Sequence, residues 1–255
     1  MFYFDVLNNK KVLKSSVLNK FQDKFKHIFT TKESFIKTDE ENSKNTAKLN
    51  KGLILDYLKI DNLIETKQTH STNIAIFDAN STKNPDILDK TDGVLLQKPN
   101  SATILNFADC TPVILYDPKN VAAAGLHAGW RGTAGEICKK AVDIMIKNFN
   151  SKPSDIIAAI GPCISQDAFE TDFEVYEKLN KTIKNGEKFF VFKETENGRK
   201  AYPDLAKINA AQLIEKGVKI VDICHLKTTT DNEFFFSYRK NNKTTSRISV
   251  ILKIE

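Results

Sequence analysis

Three side chains of metal-ligating type occupy corresponding places in this 255-residue sequence: His70 in KQTHS, Cys110 in ADCTPV and His127 in GLHAGW. Each stands at an end of, or a break in, an apolar β-type run and is followed by polar or glycine-bearing residues. Side chains at the ends of separate strands can converge. Two imidazoles and one thiolate match a catalytic zinc site, in which three protein ligands leave a fourth position for water or substrate. The short zinc signatures are absent: there is no zinc-finger spacing, and the HxE…PCxxC pattern of nucleotide deaminases fails because Ala-Gly follows His127 and Pro162-Cys163 lacks its second cysteine. Taken alone, a histidine ending an apolar strand can equally be a hydrogen-bonded core residue.

The stretch around His127, GLHAGWRGTAG, holds four of the ten glycines, the only tryptophan and one of four arginines. It reads as a strand-to-helix junction. Glycines there let backbone approach a ligand, and a helix opening at residues 131–133 would offer free N–H groups to an anion. Arg131 adds a charged fork, so a phosphate seat is expected near residues 131–135. Arginine is scarce: only Arg131, Arg199, Arg239 and Arg247 occur, and the planar guanidinium suits phosphate as lysine does not. Arg239 and Arg247 are the candidate helpers of Arg131, and Asp109, beside Cys110, is a candidate proton carrier. Trp130 either packs the turn or stacks on a ligand ring.

Rival chemistries can be weighed by the same residues. Cys163 in IGPCIS, with His127 as base, would make a cysteine hydrolase, although packing is the better reading of Cys163. A structural metal staple needs a fourth ligand, and neither His27 nor His225 is a convincing one. A multicopper oxidase needs more imidazoles than the four histidines present, and Met145, the only internal methionine, lies in a helical pattern. One copper ion in the His70, Cys110, His127 site remains chemically allowed, since copper outcompetes zinc in affinity. Cys138 and Cys224 lie in apolar patterns and read as core.

The elements that must position these residues are short strands mixed with amphipathic helices. TDGVLLQ, SATILNF, TPVILYD, VAAAGLHA, DIIAAI, VKIVDI and RISVILKI read as strands. Helical spacing appears over 45–58 (Leu49, Leu53, Leu58), from about Gly132 (Ile137, Ala141, Ile144, Met145, Phe149), over 165–180, and over YPDLAKINAAQLIEK up to Gly217. With no strict βαβ repeat, no GxGxxG and no P-loop, the expectation is an α+β (mixed α/β) fold, a mixed sheet flanked by helices, rather than a doubly wound one. No repeat or Pro/Gly-rich linker divides residues 1–255, so one domain is expected.

A hydrophobic share of 41% fits a globular protein. No run approaches a membrane span, and MFYFDVLNNKK lacks the features of a secretory signal, so the expected compartment is the cytoplasm, with reduced cysteines. The net charge of +6 comes from lysines spread along the chain without interleaved aromatics. That describes a solvated surface rather than a nucleic-acid platform.

Together, KQTHS, TDGVLL, ADCTPVIL, HAGWRGTAGEI, IGPCIS and FFFSYRK resemble, in order, the motifs of the purine nucleoside phosphorylase family formerly called laccase-domain or multicopper polyphenol oxidase proteins. The resemblance runs from about residue 60 to 247. It implies zinc ligation by His70, Cys110 and His127, phosphorolysis of adenosine, inosine, guanosine and S-methyl-5′-thioadenosine, and hydrolytic deamination of adenosine, with purine nucleosides and phosphate as small-molecule partners. A role attached to bacterial members, removal of a wrongly incorporated amino acid from a peptidoglycan precursor, is the alternative it carries. The sequence departs from the family in HIFTTKES, which lacks the usual glycines, at Lys227-Thr228 in place of Cys-Thr, and at Lys240 in place of a second arginine. These departures leave the metal triad intact and fall where the nucleoside pocket is expected.

Overall fold

The apolar runs are buried along almost their entire length because both of their faces are covered. The computed structural model describes residues 1–60, 62–81, 87–196 and 198–255. Every residue is buried in β8 (Thr111–Asp117), β9 (Ala122–Ala128) and β15 (Ile248–Ile254), and all but one in β7 (Ser101–Phe107). Continuous rather than alternating hydrophobicity is the expected sequence of such strands.

Two six-stranded sheets carry them. The first runs β1 (Phe2–Leu7), β2 (Lys10–Ser15), β3 (Phe25–Thr30), β15, β7, β4 (Asn62–Glu65) and is antiparallel except for β7 with β4. The second runs β14 (Ile220–Ile223), β10 (Ile157–Ile160), β8, β9, β6 (Gly93–Leu96), β5 (Ile74–Phe77), with parallel pairs only at its two edges. The third sheet is small: β11 (Thr171–Asp172), β13 (Gly198–Pro203), β12 (Phe190–Thr195). This is a mixed α+β architecture, not a doubly wound one.

The large sheets pack face to face. Phe29, Leu105 and Leu252 of one meet Ile114, Tyr116 and Ala123 of the other in one core. Gly125 marks how closely they approach, since a Cβ there would lie 2.7 Å from a methyl of Leu105 and 2.9 Å from one of Leu252. Helices cover the outer faces. On the first sheet lies α2 (Glu41–Leu58), packing Ile54 and Leu58 on Val12, Ile28 and Ile251; the four-residue α1 (Ser16–Asn19) follows β2. On the second lie α4 (Ile137–Phe149) and α6 (Leu205–Glu215), whose apolar stripes bury Leu95, Leu115 and Ala124. The ends of β8 and β9 are thus held from both sides, which suits them to carry a rigid site.

Three local expectations need correction. Helix α2 begins at Glu41, and its buried face is Ala47, Asn50, Ile54 and Leu58; Leu49 is 63% exposed, because the stripe sits one position beyond Leu49 and Leu53 and takes in only Leu58 of the three leucines. The 165–180 stretch is α-helical only over α5 (Phe173–Asn180), preceded by a short 3-10 turn at Gln166–Ala168, since Thr171 and Asp172 pair with Ala201 and Lys200 as a strand. The helix after His127 is two helices: α3 (Trp130–Ala134) stops at Gly135, and α4 starts after Glu136, whose φ of 60° is left-handed. Gly135 packs too tightly for a side chain there, as a Cβ would lie 2.5 Å from the Thr72 methyl.

His27 illustrates how the first sheet uses a buried polar group. Its Nε2 accepts the Ser15 backbone N–H at 2.8 Å, which puts its proton on Nδ1, and burial holds its pKa down to about 3. A histidine buried neutral binds its proton only in the unfolded chain between pH 6.5 and 3, so this contribution is complete above about pH 6.5 and is lost as pH falls toward 3. Denaturant unfolding should show stability falling by about 1.4 kcal/mol per pH unit through this window from this group. The His27→Gln variant should lose that share of the slope.

Candidate metal centre

His70, Cys110 and His127 reach this centre from three directions. His127 is the last residue but one of β9, paired across the ladder with Pro112; Cys110 immediately precedes β8; His70 sits in the loop between β4 and β5 with a left-handed φ of 62°. Their candidate ligand atoms all lie within 4.8 Å of one another, and the two imidazole centroids are 4.9 Å apart. Among the described residues this is the one such cluster of three or more, and no fourth acidic, histidine or cysteine ligand joins it. His27 is engaged with Ser15, and His225 is exposed after β14.

Asp92 holds the geometry. Its fully buried carboxylate accepts His127 Nδ1–H at 2.8 Å, leaving Nε2 as the donor atom for a metal. It also accepts the backbone N–H groups of Thr69, His70 and Ser71 at 3.1, 2.9 and 2.8 Å and the Ser71 hydroxyl at 2.7 Å. One carboxylate thus sets both the His127 ring and the loop that presents His70. Although burial opposes the charge, these donors hold its pKa well below the carboxylate range. The TDGVLL motif contained this residue, but nothing in its spacing separated a second-layer carboxylate from an ordinary turn aspartate.

Gly129 supplies space. A Cβ there would lie 3.0 Å from both Cys110 Sγ and His70 Cδ2, so a side chain would press on two of the three donors. Charge favours metal binding as well: burial opposes ionisation of Cys110, yet His127 and His70 outweigh it and bring the thiol down to about 6. Burial likewise opposes charge on His127, and the Cys110 thiolate and Asp92 raise it to about 9. A thiolate with two imidazoles fits a borderline-soft ion such as zinc or copper and is ill suited to calcium or magnesium.

A cavity of about 770 Å³ opens over the three residues. Arg239 and Arg247 stand in its wall, with Phe169, Tyr238 and Ile164 as apolar surface. Asp109 is there too, but both of its oxygens are engaged: Oδ1 accepts the Thr228 hydroxyl at 2.6 Å and Oδ2 the Arg239 backbone N–H at 2.7 Å. It therefore positions Arg239 rather than standing free as a proton carrier. The Arg239 guanidinium donates to the carbonyls of Ala168 and Glu170, and that of Arg247 donates to those of Thr244 and Ser246.

Arg131 does not line this cavity. Its guanidinium lies 4.2 Å from the ring centre of Trp130, which packs on the aromatic cluster of α5 and the small sheet. The structure therefore does not bring Arg131 together with Arg239 and Arg247, because α3 is only five residues long and leaves Arg131 exposed outside the cavity wall. Trp130 is a packing residue. Arg199, the remaining arginine, stacks on Phe173 and Phe192. Cys163 is 1% exposed, lies outside the cavity wall, and burial pushes its thiol up, which removes it as a nucleophile.

The fold and this cluster define an α+β protein with a three-residue group that could hold a metal ion at the floor of a cavity. Residues 29–255 match the family described as "Multi-copper polyphenol oxidoreductase laccase", and the chain belongs to that family. It is 34% identical over 195 residues to a "Purine nucleoside phosphorylase" of Bacteroides thetaiotaomicron, covering 74% of this chain and 72% of that one. It is 32% identical to "Adenosine deaminase RL5" of an unknown prokaryotic organism, covering 71% of each. The crystal structure of the hypothetical protein YfiH of Bacillus licheniformis superposes with a TM-score of 0.85 at 27% identity, covering 99% of both chains. The family's descriptive name notwithstanding, the described residues offer one cluster of three ligands, too few for a multicopper centre.

Replacing Asp92 with Asn removes the charge and leaves one amide oxygen where two carboxylate oxygens accept five hydrogen bonds. Metal affinity, measured by chelator competition, is expected to fall about 10- to 100-fold. Unchanged affinity would show that Asp92 does not orient the ligands.

Proposed function

We propose that this protein is a zinc-dependent purine nucleoside phosphorylase that also deaminates adenosine. The observation that carries the reading is the open three-ligand cluster at the floor of a cavity whose wall holds two arginines and two aromatic rings. The names of the relatives support it. In phosphorolysis a phosphate oxygen bonds to the sugar C1′, the C1′–N9 bond breaks, and the purine leaves with the electron pair and takes up a proton.

In this reading Arg239 and Arg247 hold the phosphate, and the carbonyls that brace each guanidinium limit its freedom before the anion arrives. Phe169 and Tyr238 give the base apolar surface. Asp109, through the Arg239 N–H, fixes where that arginine leaves the chain. His70, Cys110 and His127 would hold the ion, which when bound would supply Lewis acidity. In deamination a water oxygen bonds to the purine C6, the bond from C6 to its amino nitrogen breaks, and ammonia leaves with one of the water protons, the other staying on the base. In this reading residues 1–255 act as one domain, in purine salvage in the cytoplasm.

The test is incubation of metal-analysed protein with adenosine, with and without phosphate. Adenine and ribose 1-phosphate should form only with phosphate, and inosine in either case. Arg239→Ala should raise the KM for phosphate about tenfold or more while leaving metal content unchanged, since a charged hydrogen-bond donor is lost. Cys110→Ala should lose metal and both activities together. Absence of all three products from zinc-loaded protein would overturn the proposal.

A further inference from the structure

A second hollow of about 300 Å³ adjoins the metal-centre cavity, and the two share Lys37, Glu65 and Asn106 in their walls. Asn106 lies on β7, four residues before Cys110. Helix α2 faces the hollow with Lys44, Lys48 and Lys51, whose spacing of four and three residues stacks them on one side of the helix, and the small, buried Ala47 beside them deepens it. Four ammonium groups therefore meet in one concave surface.

Their compensation is incomplete. Lys51 is matched by Glu65 at 2.6 Å, the one carboxylate in the wall. Lys44 is met by Glu41, itself 84% exposed, and Lys37 by Asp39 only at 3.7 Å. Among the described residues no acidic group pairs with Lys48. Like charges gathered on one wall repel, and a cleft concentrates their field, so a multiply charged anion gains more here than at scattered surface lysines. Lysine ammoniums bind phosphate as point charges.

We propose that this lysine groove is a subsite for the phosphate groups of a phosphorylated purine nucleoside, whose base and sugar occupy the adjoining cavity. The groove thus selects nucleoside 5′-diphosphates over the uncharged nucleosides. This rests on the cavity receiving a purine nucleoside, as proposed above. Glu65 and Asn106 form the threshold between the two spaces, and Lys37 faces both.

Calorimetric titration of the metal-loaded protein with adenosine, ADP and inorganic pyrophosphate tests it, using the wild type and the double variant Lys44→Gln, Lys48→Gln. Both positions are exposed on α2 and glutamine is a good helix former, so the fold should persist, as circular dichroism would verify. The wild type should bind ADP at least about tenfold more tightly than adenosine at low salt, with the gap narrowing as salt rises. In the variant, ADP should fall to within about twofold of adenosine, whose own affinity stays unchanged. Adenosine binding without any gain for ADP, or a gain that survives in the variant, overturns the groove alone. Pyrophosphate binding as tightly as ADP with the same lysine dependence makes the groove a free-anion site and also overturns it. Adenosine that binds neither form overturns the nucleoside reading of the cavity, and this proposal with it.

Discussion

The Asp92 carboxylate is the constraint on which the metal centre depends. It is fully buried, and it ties the end of β9 to the loop carrying His70 through the His127 ring and three successive backbone N–H groups. Burying a charge is costly unless it is paired and hydrogen-bonded, and here five donors from two segments meet that requirement. Two ligands from separate parts of the chain consequently share one anchor. The third, Cys110, is set by the strand ladder itself, since Thr111 pairs with Ala128 at the start of β8. The backbone of Gly129 then passes close beneath two of the donors because nothing projects from it.

Electrostatics and packing cooperate at that point. The Cys110 thiol at about 6 and the His127 imidazole at about 9 describe a thiolate facing an imidazolium, backed by the Phe107 ring at 5.2 Å. A thiolate and a neutral imidazole are the forms that bind a metal, so ligation by these residues would be coupled to loss of the His127 proton. The outer layers supply stiffness rather than chemistry: α2 on one side and α4 with α6 on the other bury both sheets, which keeps the ends of β8 and β9 in register.

The sequence made the ligand triad legible because each ligand interrupts an apolar run, and buried strands interrupted at one end have a common address. His70, Cys110 and His127 meet where their strand ends predict. The mixed α+β class followed from short continuous apolar runs with no repeating βαβ unit. Asp92 was hidden because its role lies in five hydrogen bonds to residues nearer His70 and His127 than to its own neighbours in sequence. Arg131 misled because helical periodicity after Gly132 runs through Gly135 and Glu136, where tight packing on Thr72 and a left-handed residue cut the helix in two. The lysine groove was masked by abundance, since lysines 37, 44, 48 and 51 resemble the rest of a lysine-rich surface until α2 is laid against β4 and β7.

In the function proposed above, a single ion is held by two imidazoles and one thiolate with a position left open. X-ray absorption at the zinc edge of the loaded protein addresses it directly. The expected first shell contains one sulfur at about 2.3 Å, two histidine nitrogens at about 2.0 Å and one further light atom that ligands can displace. A shell without sulfur, or one closed by four protein ligands, would contradict the account.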